Sequence, residues 1–191
     1  MTKSLRLFLG SVASILALAA LTAEAAAPIQ GSIQFIGGAT LNGNLGSASS
    51  YLSYSGSTGS GNPQVQTDSG TFSTVPAGTS VAFTPFTFSP SPASVPSLWS
   101  FSLGGVNYSF DVSSFTLNSQ NSGFLDLEGT GMLHAGGFAD TPAIFSITDT
   151  GAGGPNVTFG ASFTAVPEPS ALALGTLAVL LGLRLRRNLA V

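Results

Sequence analysis

Apolar and polar residues alternate over short stretches between residues 28 and 165, and no window there sustains a helical period, so this body reads as all-β. The clearest predicted strand is Asn156-Val157-Thr158-Phe159-Gly160-Ala161-Ser162-Phe163. Val157, Phe159, Ala161 and Phe163 share one face and Thr158, Gly160 and Ser162 the other, so one face is expected to be buried and the other wet. Leu98-Trp99-Ser100-Phe101-Ser102-Leu103 and Val106-Asn107-Tyr108-Ser109-Phe110 flank Gly104-Gly105. Two glycines supply the positive φ that a two-residue turn demands, and the pattern predicts a hairpin. Further strands are predicted at 32–36, 79–83, 115–117, 124–133 and 144–148.

Two stretches differ. Residues 42–63 are mostly Gly, Ser and Asn with only Leu45 and the Tyr51-Leu52-Ser53-Tyr54 island to bury, which reads as a long loop or a weak edge strand. Pro85, Pro90, Pro92 and Pro96 punctuate an extended connection. Asp140-Thr141-Pro142 reads as a turn between strands, because Asp and Thr side chains bond nearby backbone N–H groups. Many short strands separated by turn signals point to a single β-sandwich, jelly-roll-like in one variant, with a barrel as the lesser alternative.

The chain ends follow other rules. Lys3 and Arg6 precede the apolar residues 7–21, which lead into Ala23-Glu24-Ala25-Ala26-Ala27. This is the pattern of a secretory signal peptide over residues 1–27, a helix cleaved after Ala25 or Ala27. At the other end Val166-Pro167-Glu168-Pro169-Ser170 precedes the uncharged run 171–183 and then Arg184, Arg186 and Arg187. Pro167 and Pro169 fix φ and lack an N–H, so they hold the segment extended. The run spans roughly 20 Å as a helix, against a hydrocarbon core of about 30 Å. Taken alone it reads equally as a buried core helix or an interfacial segment. The arginines behind it favour a membrane helix, because they can snorkel to headgroups and mark the cytoplasmic side. Three segments are thereby expected: a signal peptide at 1–27, a β-sandwich body at 28–165, and a tail at 166–191 with its membrane helix at about 171–183.

Taken in that order at the end of the chain, Val166 to Ser170, the apolar run and the arginine cluster resemble the sorting tail of the PEP-CTERM family of bacterial exported proteins. That tail also occurs on some ice-binding proteins and is sometimes named after them. The resemblance implies that Pro167, Glu168 and Pro169 form the recognition element for exosortase, a membrane-embedded protease. It also implies that the body, held briefly at the inner membrane on its periplasmic side, is released to the cell surface or the exopolysaccharide matrix.

Charge narrows the chemistry. All five cations, Lys3, Arg6, Arg184, Arg186 and Arg187, lie in the end segments. The body holds Asp68, Asp111, Asp126, Glu128, Asp140 and Asp149 and no Lys or Arg, a formal charge of −6. A domain without a cation cannot neutralise phosphates, which excludes nucleic acid as a partner. The absence of cysteine removes disulfides, thiol catalysis and Cys-ligated zinc, so the body must hold by burial alone.

Few residues of the body suit catalysis or metal binding. His134 is the single histidine, and no Gly-x-Ser-x-Gly elbow surrounds any serine, so it reads as a solvent-facing residue at a strand end. One histidine and no cysteine leave too few ligands for a transition metal. Asp126 and Glu128 share a strand face opposite Leu125 and Leu127. A carboxylate pair serves glycoside hydrolysis or Ca²⁺ binding, but at this spacing it is more often the wet face of a sheet. No catalytic, cofactor or metal residues are assigned. The leading expectation is a non-enzymatic exported protein of the surface or matrix, with exosortase, the inner membrane and exopolysaccharide as partners. The alternative is a carbohydrate-binding module in which Trp99, Tyr51, Tyr54 or Tyr108 stacks on sugar, with ice binding and secreted hydrolysis behind it.

Overall fold

The alternation that runs along the second half of the body becomes a continuous antiparallel meander. The computed structural model describes residues 26–92 and 94–166. Its strands are β1 (Ser32–Leu41), β2 (Tyr51–Ser55), β3 (Gln64–Asp68), β4 (Ala82–Phe83), β5 (Val95–Leu103), β6 (Val106–Asn121), β7 (Phe124–Ala135), β8 (Thr141–Thr150) and β9 (Asn156–Ala165), with one 3₁₀ turn at Gly70–Phe72. From β5 to β9 each strand pairs with the next in the chain, and β9 then pairs with β1 from Ser32↔Thr164 to Thr40↔Asn156. The hairpin between β5 and β6 turns at Gly104 and Gly105, whose φ values are 58° and 82°, as two-residue turns require.

Strands β3 and β2 share the far side of β1, β3 along Ile33–Ile36 and β2 along Gly38–Leu41. What closes the sheet is the segment 79–88. On one side Ala82 and Phe83 pair with Ser100 and Trp99 of β5. On the other, Val65 N donates to Thr79 O, Val81 N to Pro63 O, Tyr51 N to Phe86 O and Phe88 N to Ser49 O. The sheet β2-β1-β9-β8-β7-β6-β5-β4 thereby curls round and meets itself, its two ends joined.

The lumen is filled with rings. Inward positions carry Phe35 on β1, Phe110 on β6, Phe145 on β8, and Phe159 and Phe163 on β9, with Trp99 of β5 fully buried among them. Trp99 meets Phe35 at 5.0 Å and Phe163 at 5.5 Å between centroids, and stacks beside Phe101 and Phe110. It thus links β5 to β1 and β9 across the barrel. Because β2 and β3 occupy one position, the wall has about eight staves, the size at which side chains just fill the interior.

The expected single all-β domain is found, and its one sheet closes on itself: chain neighbours pair in sequence and bulky rings hold the walls apart, the barrel form of the sandwich expectation. The correction concerns the flanking signal and membrane helices, which are no part of the fold described. Among the described residues the only helical element is the three-residue 3₁₀ turn, and no helix is long and apolar enough to cross a membrane. The stretches assigned to those helices, 7–21 and 171–183, lie outside the described residues, as do Pro167 to Ser170 and Arg184, Arg186 and Arg187.

Tight curling leaves a mark on β7. A Cβ built on Gly131 would lie 2.1 Å from Asp111 O and 2.4 Å from the Phe110 ring, so the backbone of β6 passes where any side chain would sit. Gly131→Ala is expected to cost about 1–3 kcal/mol in denaturant unfolding, the usual price of overpacking. Gly154→Ala, with nothing within 4 Å of the added Cβ, should stay within about 0.5 kcal/mol of the parent.

Candidate functional site

The outward positions of β6 to β9 form one polar face. In register, Ser114 lies opposite Thr130, Thr130 opposite Ile144, and Ile144 opposite Thr164; the next row runs Thr116, Glu128, Ser146, Ser162. These rows line a groove of about 520 Å³ that also takes in Asn118. Ile144, 53% exposed and one of the few large apolar side chains facing solvent among the described residues, lines this groove and also the adjoining one that holds Met132, Pro142 and Val166. Ser114 and Thr130 hydroxyls are 2.9 Å apart across the groove wall. The groove contains one carboxylate, Glu128, and no cation.

Asp126 and Glu128 are both outward on β7, with Leu125 and Leu127 fully buried opposite. Asp126 is held at one end of the face, where Asn118 Nδ2 donates to Oδ2 at 3.4 Å and Ser146 Oγ to Oδ1 at 3.5 Å. The two carboxylates therefore sit on the wet face of the sheet.

His134 is less isolated than its sequence context suggests. Its Nδ1 is 2.7 Å from Asp140 Oδ1, and its Nε2 is 3.3 Å from Asp111 Oδ2, an ion-pair distance without hydrogen-bond geometry. The carboxylates meet opposite edges of the ring, so they diverge, and no trio of His, Asp or Glu among the described residues is arranged to hold a metal. Asp111 Oδ1 also accepts from Ser97 N at 2.6 Å, where Ser97 adopts a φ of 46°. The cluster ties the β5 bulge and the turn before β8 to the first half of β6 and the last residues of β7.

The aromatic residues expected to stack on sugar do not face solvent. Trp99, Tyr51 and Tyr108 are buried and Tyr54 is half-buried, and their rings are engaged by other rings. The carbohydrate reading based on them is corrected accordingly.

Sequence reasoning passed over Asp149. It follows Phe145 and Ile147 at the same inward parity of β8, so extending the predicted strand by one residue would have placed a carboxyl in the core. It is fully buried; Tyr51 Oη donates to its Oδ2, and its Oδ1 has no partner among the described residues. Burial drives its pKa up to about 7, against a smaller lowering by the Tyr51 hydrogen bond. Burial and the neighbouring carboxyl also hold the Tyr51 and Tyr54 hydroxyls well above the usual phenol range.

No family model matches the chain, and no curated protein or solved structure does either. The PEP-CTERM assignment is therefore withdrawn. With it go the exosortase and exopolysaccharide partners, the transient inner-membrane anchor and delivery to the surface or matrix, all of which depended on the tail. What the structure defines is a closed antiparallel barrel domain.

The buried carboxyl has a measurable consequence. In the unfolded chain it titrates near 3.8, and in the barrel near 7. Between those values the folded protein keeps a proton that the unfolded chain has released, so stability falls as pH rises. Denaturant unfolding should show the contribution intact below about pH 4 and lost above about pH 7, a decline on the order of 4 kcal/mol. Asp149→Asn should flatten that decline.

Proposed function

We propose that the domain is a non-catalytic binding module for neutral carbohydrate, seated in the outer groove of β6 to β9. The observation that carries this reading is Ile144, an exposed apolar side chain in a groove that also holds several hydroxyls and one carboxylate. A sugar presents apolar C–H faces and a rim of hydroxyls. Ile144 offers a surface for the first, and Ser114, Thr130, Ser146 and Glu128 offer hydrogen-bond partners for the second. The lack of any Lys or Arg in the body, with its six carboxylates, favours an uncharged ligand over an anionic one.

Recognition here rests on hydrogen bonding at a shallow, open surface, so modest affinity is expected. Isothermal titration against neutral and uronic-acid oligosaccharides should give binding for the neutral set alone. Glu128→Gln and Ile144→Ser should each weaken it about tenfold, the scale of one lost charge-assisted hydrogen bond or one lost apolar contact. Failure of every neutral oligosaccharide to bind, or binding untouched in the double variant, would overturn the assignment.

A further inference from the structure

The hydrogen bond between Tyr51 and Asp149 joins two strands that are not neighbours. In the sheet order β2-β1-β9-β8, two strands stand between Tyr51 on β2 and Asp149 on β8, so the bond crosses the lumen. It is attached to the weakest part of the wall. β2 has five residues and pairs with β1 through a bulge at Thr40/Leu41, and β4 pairs over only two residues. Between residues 49–51, at the start of β2, and the segment 84–89, the joint consists of the Tyr51 N to Phe86 O, Phe88 N to Ser49 O and Ser89 N to Ser49 O bonds and the Ser50↔Thr87 bridge. Packing there is aromatic: Tyr51 lies 5.2 Å from Tyr54, 5.1 Å from Phe86 and 5.5 Å from Phe88. By contrast, β6 and β7 run together over more than ten residues.

We propose that Asp149 is a proton-operated latch on this seam: as the acid it keeps β2 docked against 84–88, and as the carboxylate it releases them, opening one end of the barrel.

The groups around it support that role. Among the described residues, titratable side chains against Asp149 come from β2 alone, as Tyr51 and Tyr54. Its register partners are Leu125 on β7 and Phe159 on β9, neither of which ionises. Phe86 and Phe88 of the 84–88 segment pack on the Tyr51 ring that carries the donor. No Lys or Arg exists in the body to compensate a negative charge at this place. Among the described residues a carboxylate formed here has one donor, Tyr51 Oη, and an unpaired Oδ1, so it gains by reaching water. Two routes lead there, release of the five-residue strand β2 that carries Tyr51 or fraying of the β7–β8 end, where only the Phe124↔Thr150 pair lies beyond Asp149. The latch takes the first, and loss of protection confined to the β7–β8 end would count against it.

Amide hydrogen exchange on the full chain, resolved by segment and corrected for intrinsic rates, tests the latch. From pH 5 to pH 8 the protection of 49–55 and 84–88 should fall on the order of 100-fold, while that of β7 and β8 changes far less. In Asp149→Asn the seam should stay protected at both pH values. Should that variant fail to fold, a carboxyl ¹³C titration of the parent serves instead: the Asp149 midpoint should coincide with the loss of seam protection. Protection that does not depend on pH, a fall shared equally by all strands, or a midpoint in the ordinary carboxylate range would each overturn the latch.

Discussion

Everything in this molecule depends on filling the lumen of a closed sheet with aromatic rings. No disulfide is available, and within the body no lysine or arginine exists to form an ion pair. Phe35, Trp99, Phe110, Phe145 and Phe163 contact one another from strands on different sides of the barrel, with centroid separations between 4.8 and 6.4 Å. Each large ring contributes burial on the scale of a few kcal/mol together with favourable edge-to-face geometry. The ring set also sets the barrel's width, and so decides which outward residues lie close enough to share a groove.

That dependence explains how the outer groove and the inner carboxyl coexist on one strand. β8 turns Phe145, Ile147 and Asp149 inward and Ile144, Ser146 and Thr148 outward. Strict alternation means that the strand bearing the most exposed apolar residue of the groove also bears the most buried acid. The inward row tolerates Asp149 because Tyr51 reaches it from across the lumen. Without that hydroxyl the carboxyl would have no donor among the described residues, and a buried acid so placed is costly in either protonation state.

Much of the wall was legible in the sequence where local chemistry decides the outcome. The Gly104-Gly105 turn and the alternation of Val157, Phe159, Ala161 and Phe163 each state their own geometry, and the strands found there agree. Closure was not legible, because β4 pairs over only two residues and the remaining contacts of 79–88 are single backbone bonds that leave no periodic trace. Trp99 on an alternating strand reads more readily as a buried ring than as a sugar platform, and it is buried in the lumen; which walls it joins depends on closure. His134 has no motif around it, since its partners Asp111 and Asp140 come from another strand and a turn. The groove at Ile144 had no signal of its own, because its rows exist only once four strands are in register.

Joining the ends of the sheet has a further effect for a β-protein this poor in charge. An open sheet presents a row of unpaired amides and carbonyls to any passing chain, and natural proteins commonly guard such edges with lysines. This body has none to spare. Its protection against fibrous self-association is topological: the two would-be edges are spent on one another, so the segment 79–88 stands where another protein would place a charged guard.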